Sequence, residues 1–167
     1  MATELEKLQG RYAEQLVAEC LRLADHKVSP SNFDKSLVDF IGHRSNGESY
    51  FGQVKFDGRD DYRSSTSVDL QQLQRYLKFA EYGGAPIVLF VVKLRNREIR
   101  WADLAKLQLP RTILVDGIET TYPHTWRNKA GQLRKEYHLS SFEKLATLTS
   151  KQYGRFINER YLRSLSR

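Results

Sequence analysis

The run "PIVLFVVKL", Pro86 to Leu94, limits the fold more than any other stretch of the chain. It is continuously apolar, β-branched for much of its length, and bounded by Gly83-Gly84 on one side and "RNRE" on the other. A run this short and this uniform reads as a central strand covered on both faces. Both covers must come from elsewhere in the chain, and the best-marked candidates are helical. "ELEKLQGRYAEQLVAECLRLADHK" carries Leu5, Leu8, Tyr12, Leu16, Cys20 and Leu23 at a helical period. It leaves the helix before Ser29-Pro30. Cys20 falls in that stripe and is expected to be a buried structural thiol. "SVDLQQLQRYLKFAEYGG" has Ser67 as a candidate cap and closes on Gly83-Gly84. The expected architecture is therefore α/β with a mixed sheet.

Two further strands are expected ahead of the second helix. "SLVDFIGHR" turns at "RSNGES", a hairpin signal, and "YFGQVKF" returns, followed by a polar loop, "DGRDDYRSSTS". After the central strand, "WADLAKL" reads as one or two helical turns, and "RTILVDG" and "LRKEYHL" as strands. "SSFEKLATLTS" and "KQYGRFINERYLRSL" read as helical, the second amphipathic and basic. At 167 residues the chain suits one domain, residues 1–167, with no internal repeat or linker.

The charge is divided unevenly. Residues 1–92 carry 11 Lys and Arg against 13 Asp and Glu, whereas residues 93–167 carry 16 against 7. A basic C-terminal half favours polyanions, nucleic acid first among them. "PRTILVDG" and "TTYPHTWRNK" set apolar and aromatic side chains beside basic ones, a pattern suited to stacking on nucleic acid or to packing a β-elaboration onto the core. The single cysteine excludes a disulfide framework and a cysteine-rich zinc site. The four histidines are scattered without ligand spacing, and no phosphate-binding G-x-x-x-x-G-K-[ST] loop occurs. No apolar run reaches the roughly 20 residues of a membrane span, and the N-terminus lacks an apolar secretory segment. A cytoplasmic protein with no membrane association is the expectation.

Two strands carry polar residues in places where stability alone would choose apolar ones. Alternation puts Leu37, Asp39 and Ile41 on one face of the first, and Phe51, Gln53 and Lys55 on one face of the second. An ionised carboxylate inside an apolar strand costs several kcal/mol unless a cation or donors offset it. Asp39 and Lys55 could form a structural ion pair, although a hydrophobic pair would serve stability at least as well. A carboxylate, an amide and a lysine on adjacent strands also suit a metal-dependent hydrolytic site, because hard cations take oxygen ligands.

In their order, helix Glu14, strand Asp39, hairpin, Gln53-x-Lys55 and helix, these residues resemble the PD-(D/E)XK superfamily of restriction-endonuclease-like nucleases. Gln72 and Tyr76 in "LQQLQRYL" are spaced like the Q-x-x-x-Y motif of its RecB-like branch. The resemblance covers about residues 8–93 and looks most like small bacterial domains, uncharacterised or defence-associated, that use Gln-x-Lys. It implies a restriction-endonuclease-like mixed β-sheet core flanked by helices, with residues of about 94–167 as a basic C-terminal αβ elaboration. The implied activity is Mg²⁺- or Mn²⁺-dependent hydrolysis of phosphodiester bonds in DNA, in anti-phage defence or DNA processing. The implied roles give Asp39, Gln53, the Val54 carbonyl and Glu14 to the metal, and Lys55 to orienting water or stabilising phosphate charge. Gln72 and Tyr76 would brace the site or touch the substrate strand. The chain departs from the commoner motif twice. Gln53 stands where Glu is usual, and Glu14 follows Gly10 at Gly-x-x-x-Glu spacing, one residue longer than the RecB-like pattern. The alternative expectation is a nuclease-fold nucleic-acid-binding or assembly module that no longer cuts. A homodimer would serve to cut both strands, and a partner protein of a defence or processing system could be required.

Overall fold

A computed structural model describes residues 2–30, 38–59 and 64–165. Leu37, the residues from Ser31 to Phe33 after the first helix, and 60–63 of the expected polar loop lie outside the described residues. Helix α1 (Glu4–Leu23) opens with a capping box in which Thr3 and Glu6 satisfy each other's backbone N–H groups. It is followed by β1 (Lys27–Pro30), β2 (Phe40–His43), β3 (Ser49–Asp57), β4 (Ser65–Asp69) and α2 (Leu70–Gly83). Then come β5 (Ile87–Lys93), β6 (Glu98–Asp103), α3 (Leu104–Leu107), β7 (Arg111–Val115) and β8 (Ile118–Tyr122). The chain ends with β9 (His124–Arg127), β10 (Leu133–His138), β11 (Glu143–Thr147), α4 (Ser150–Phe156) and α5 (Glu159–Ser164).

The main sheet has the order β1-β2-β3-β5-β6-β11. Only the β3–β5 pairing is parallel, so the sheet is mixed. Every residue of β5 is buried, as the apolar run "IVLFVV" requires of a strand with a helix layer on each face. Alternation along β3 and β5 feeds two separate cores. Tyr50, Val88, Phe90 and Val92 pack with Leu8, Tyr12 and Leu16 of α1, and with Phe156 and Leu162 of the C-terminal helices. Phe51, Ile87, Leu89 and Val91 pack with Leu73 and Tyr76 of α2, and with Leu104 and Tyr137. Residues beyond 94 are thus divided. Strands β6 and β11 extend the main sheet and α4 and α5 close over α1, where Gln9 Nε2 donates to the Phe156 carbonyl at 3.0 Å. Strands β9 and β10 join β4 in a second sheet of order β4-β10-β9, and β7 pairs with β8.

Several local expectations are corrected. Ser67 does not cap α2. Residues Ser65–Asp69 form a strand against β10, and Asp69 is the cap, its carboxylate accepting from the N–H groups of Gln71 and Gln72. The first three residues of "WADLAKL" end β6 along β5, and Leu104–Leu107 form the expected helical turn. "SSFEKLATLTS" holds a 3₁₀ turn at Leu139–Ser141 and then edge strand β11 on β6, with a register shift between Lys144 and Ala146. The basic C-terminal segment is two short helices, broken where Asn158 caps α5. Cys20 is half-buried at the margin of the α1 core, and burial pushes its thiol pKa up. The strands expected at "RTILVDG" and "LRKEYHL" are β7 and β10. Among the described residues, no helix is long and apolar enough to cross a membrane.

Candidate active site

The site exists because β3 outruns β2. The hairpin register pairs Phe40 with Gly52 and His43 with Ser49, so β2 covers only the first part of the nine-residue β3. Asp39 lies one residue ahead of β2, where the regular register ends at the Phe40–Gly52 pair. Its N–H donates to the Gly52 carbonyl at 2.9 Å, and its Oδ2 accepts from the Val54 N–H at 2.7 Å. A carboxylate here replaces the next backbone acceptor of the ladder, fixing a negative charge on the edge of β3.

Gln53, Lys55 and Asp57 share the α2 face of β3 by alternation. The Gln53 Oε1 is buried and has no hydrogen-bond partner among the described residues. Leaving such an acceptor unmet costs about 1–3 kcal/mol. The Lys55 ammonium donates to the Ser67 carbonyl of β4 and not to Asp39, so the structural ion pair across the hairpin does not form. Arg134 of β10 donates to the same carbonyl and to Ser67 Oγ, each at 2.9 Å. Burial, and then the Arg134 charge, bring the Lys55 pKa down to about 7 against the opposing pull of Asp57.

Helix α2 completes this wall. Tyr76 is 6 % exposed, and burial raises its hydroxyl pKa, opposed by a hydrogen bond with Gln72 and reinforced by the Asp39 charge. Asp39, Gln72 and Tyr76 are therefore neighbours, which joins the hairpin to the first two turns of α2. A cleft of about 900 Å³ opens here, lined by Gln53, Val54, Lys55, Gln72 and Tyr76, among others. From α1 it is lined by Glu6, Gln9 and Gly10. Glu14 lies one turn beyond Gly10 on the same helix face and forms no hydrogen bond or ion pair among the described residues. Of the expected site residues, the fold brings together Asp39, Gln53, Val54, Lys55, Gln72 and Tyr76, and leaves Glu14 at the margin.

Sequence reasoning missed a second charged group. Asp57, 4 % exposed, accepts from Arg59 at 3.1 Å and lies 3.8 Å from the Lys93 ammonium, itself 2 % exposed. Burial alone would raise the Asp57 pKa, but the Arg59 hydrogen bonds and the nearby cations hold it below the usual value. An Asp two residues past a Lys has no motif to announce it. Trp126, Asn128 and Arg134, on or beside β9 and β10, also line the cleft. Trp126 and Asn128 lay in the marked stretch "TTYPHTWRNK", and Arg134 in "LRKEYHL", expected as a strand.

Among the described residues, no three His, Cys, Asp or Glu side chains converge as a metal cluster. The donors that do converge are the Asp39 carboxylate and the unpaired Gln53 amide oxygen, with the Val54 peptide beside them. This set fits a hard divalent cation that keeps several waters, and the orphaned Oε1 is the observation that supports the fit.

A mixed sheet with a central parallel β3–β5 pair and helices on both faces is a restriction-endonuclease-like fold. Among solved structures, the chain is similar to Hjc, a Holliday junction resolvase from the archaeal hyperthermophile Archaeoglobus fulgidus. The TM-score is 0.54 at 12% identity, covering 82% of this chain and 97% of that one. At that identity the likeness is one of fold. No family model matches the chain, and no curated protein matches it in sequence.

Proposed function

We infer that this chain is a divalent-metal-dependent nuclease acting on phosphodiester bonds of DNA. The observation that carries the reading is the buried, unpartnered Gln53 Oε1 next in the chain to Val54, whose N–H donates to the Asp39 carboxylate, with Lys55 two residues along the same strand face. The fold likeness to a protein named as a Holliday junction resolvase supports DNA as the substrate. So does the excess of 16 basic over 7 acidic residues after residue 92.

Asp39, Gln53 and the Val54 carbonyl would hold Mg²⁺ or Mn²⁺, with Glu14 reaching it through water. The cation supplies Lewis-acid polarisation of the phosphate and favours ionisation of water at neutral pH. Lys55 Nζ, steered by the Ser67 carbonyl, donates to the attacking water or to a phosphate oxygen as charge builds there. Tyr76 and Gln72 hold the Asp39 side of the cleft and touch the strand. A homodimer would cut both strands, and the setting is anti-phage defence or DNA processing, alone or with a partner protein.

A second reading rests on Gln53, whose amide brings no charge to the metal. Here the chain is a binding or assembly module that engages DNA without turnover. The test of both is cleavage of plasmid and single-stranded DNA in Mg²⁺ and Mn²⁺, with wild type beside Asp39→Ala. The nuclease reading expects a loss of about 10³-fold in the variant. Cleavage retained by purified Asp39→Ala refutes it, and DNA binding without turnover by either protein favours the second reading.

A further inference from the structure

The second sheet also lines the cleft, and its chemistry differs from that of Gln53 and Lys55. Trp126 of β9 and Arg134 of β10 are directly paired across the strands, so their side chains share a face. Asn128, two residues after Trp126, falls on the same face, and all three line the cleft. Arg134 is held by its two bonds to Ser67. The Trp126 indole N–H is buried and has no acceptor among the described residues. Indole nitrogen is a donor only, so the site lacks an acceptor that packing cannot supply.

The charges nearby favour a phosphodiester as the source. Each cleft carboxylate is committed: Asp57 to Arg59 and Lys93, and Asp69 and Glu6 to backbone N–H groups at the starts of α2 and α1. Lys55 and Arg134 instead share a neutral carbonyl acceptor. A cleft of about 900 Å³, lined by residues of α1, β3, α2, β9 and β10, has the scale of a pocket enclosing a small ligand. The face of a base is open to an indole only when that base is out of the stack.

We propose that Trp126, Asn128 and Arg134 form a subsite for one unpaired nucleotide beside the scissile phosphate. The preferred substrate is then DNA with a single-stranded or unpaired segment, not continuous duplex. Trp126 stacks on the base and its N–H donates to a phosphate or base oxygen, while Arg134 faces the backbone. This rests on the nuclease reading for the identity of the polymer.

The test reads binding without metal, so it is separate from cleavage. Trp101 packs against Phe90 and His26 under Arg44, outside the cleft lining, and Trp101→Phe leaves Trp126 as the single indole. In EDTA, this variant is titrated with oligo-dT, with the same oligomer carrying abasic sites, and with a duplex of equal length. Oligo-dT is expected to quench the indole emission, and the abasic and duplex forms to quench it little. Trp126→Ala should weaken oligo-dT binding about 10- to 100-fold while leaving duplex binding unchanged. Trp126→Phe, which keeps a stacking ring, should recover most of that loss and guards against a folding defect in Trp126→Ala. Equal quenching by duplex and oligo-dT, or equal oligo-dT affinity in wild type, Trp126→Phe and Trp126→Ala, overturns the subsite. Failure of the nuclease reading would appear instead in the Asp39→Ala cleavage assay and would not alter these titrations.

Discussion

The two faces of the main sheet are made by the same strands and serve different ends. On the α1 face, Tyr50, Phe90 and Val92 sit among apolar and aromatic neighbours, and the polar atom of Tyr50 meets His26 Nδ1 at 2.8 Å. On the α2 face, β3 and β5 begin apolar with Phe51, Ile87 and Leu89, then turn polar at Gln53, Lys55, Asp57 and Lys93. Buried polar atoms without a hydrogen-bond partner among the described residues occur on both sides, the Tyr12 hydroxyl in the α1 core and the Gln53 amide oxygen on the α2 face, and the Gln53 oxygen and the Trp126 indole N–H belong to residues that line the cleft. Each unmet group costs about 1–3 kcal/mol. The closed aromatic face supplies stability against which the open end of the other face can carry that cost.

The largest expected effect breaks the closed face. Phe90 is fully buried against Phe40, Tyr50 and Trp101, and Phe90→Ala should lower unfolding free energy by about 4 kcal/mol. Chemical denaturation measures that loss. Cleavage per folded molecule should be unchanged below the melting transition, and a parallel fall in specific activity would mean that the faces are not separable. Next comes Asp57→Asn, which removes the carboxylate facing Lys93 and should cost about 3 kcal/mol at pH 7. Asp57 is held below its usual pKa, so it contributes stability above the ordinary carboxylate range and loses it as pH falls through the lowered value. Wild type and variant should therefore converge in melting temperature between about pH 5 and pH 2. A gap independent of pH would assign the loss to packing instead of charge.

The closed face was the more legible of the two in sequence. Its strand β5 is apolar from Ile87 to Val92, and the α1 stripe repeats at helical spacing, so both follow from composition and period. The turn at "RSNGES" set the hairpin register, which is why Asp39, Gln53 and Lys55 could be placed together. What could not be read were pairings made over long separations. Ser65–Asp69 looks like a loop and a helix start until β10, more than 60 residues on, supplies its ladder. "FEKLAT" has both helical and strand spacing, and the open edge of β6 decides it. The aromatic Trp126 beside basic residues was visible, but only the β4-β10-β9 sheet brings it to the cleft that Gln53 also lines.

The smallest effect sharpens the comparison most, because it changes one atom pair on the open face. Gln53→Glu puts a second carboxylate beside Val54, whose N–H donates to the Asp39 carboxylate, and like charges so close repel. Without divalent ions the variant should melt below wild type. Adding Mn²⁺ should reverse the order, since a ligand binding only the folded state stabilises it in proportion to its affinity. Specific cleavage should rise about tenfold, equivalent to about 1.4 kcal/mol in the barrier. A larger Mn²⁺-induced rise in melting temperature without added cleavage would show that metal affinity is not what limits turnover, and would favour the binding-module reading. No Mn²⁺ response in either protein would remove the cation from this site, leaving the Gln53 oxygen as an acceptor for the nucleic acid itself.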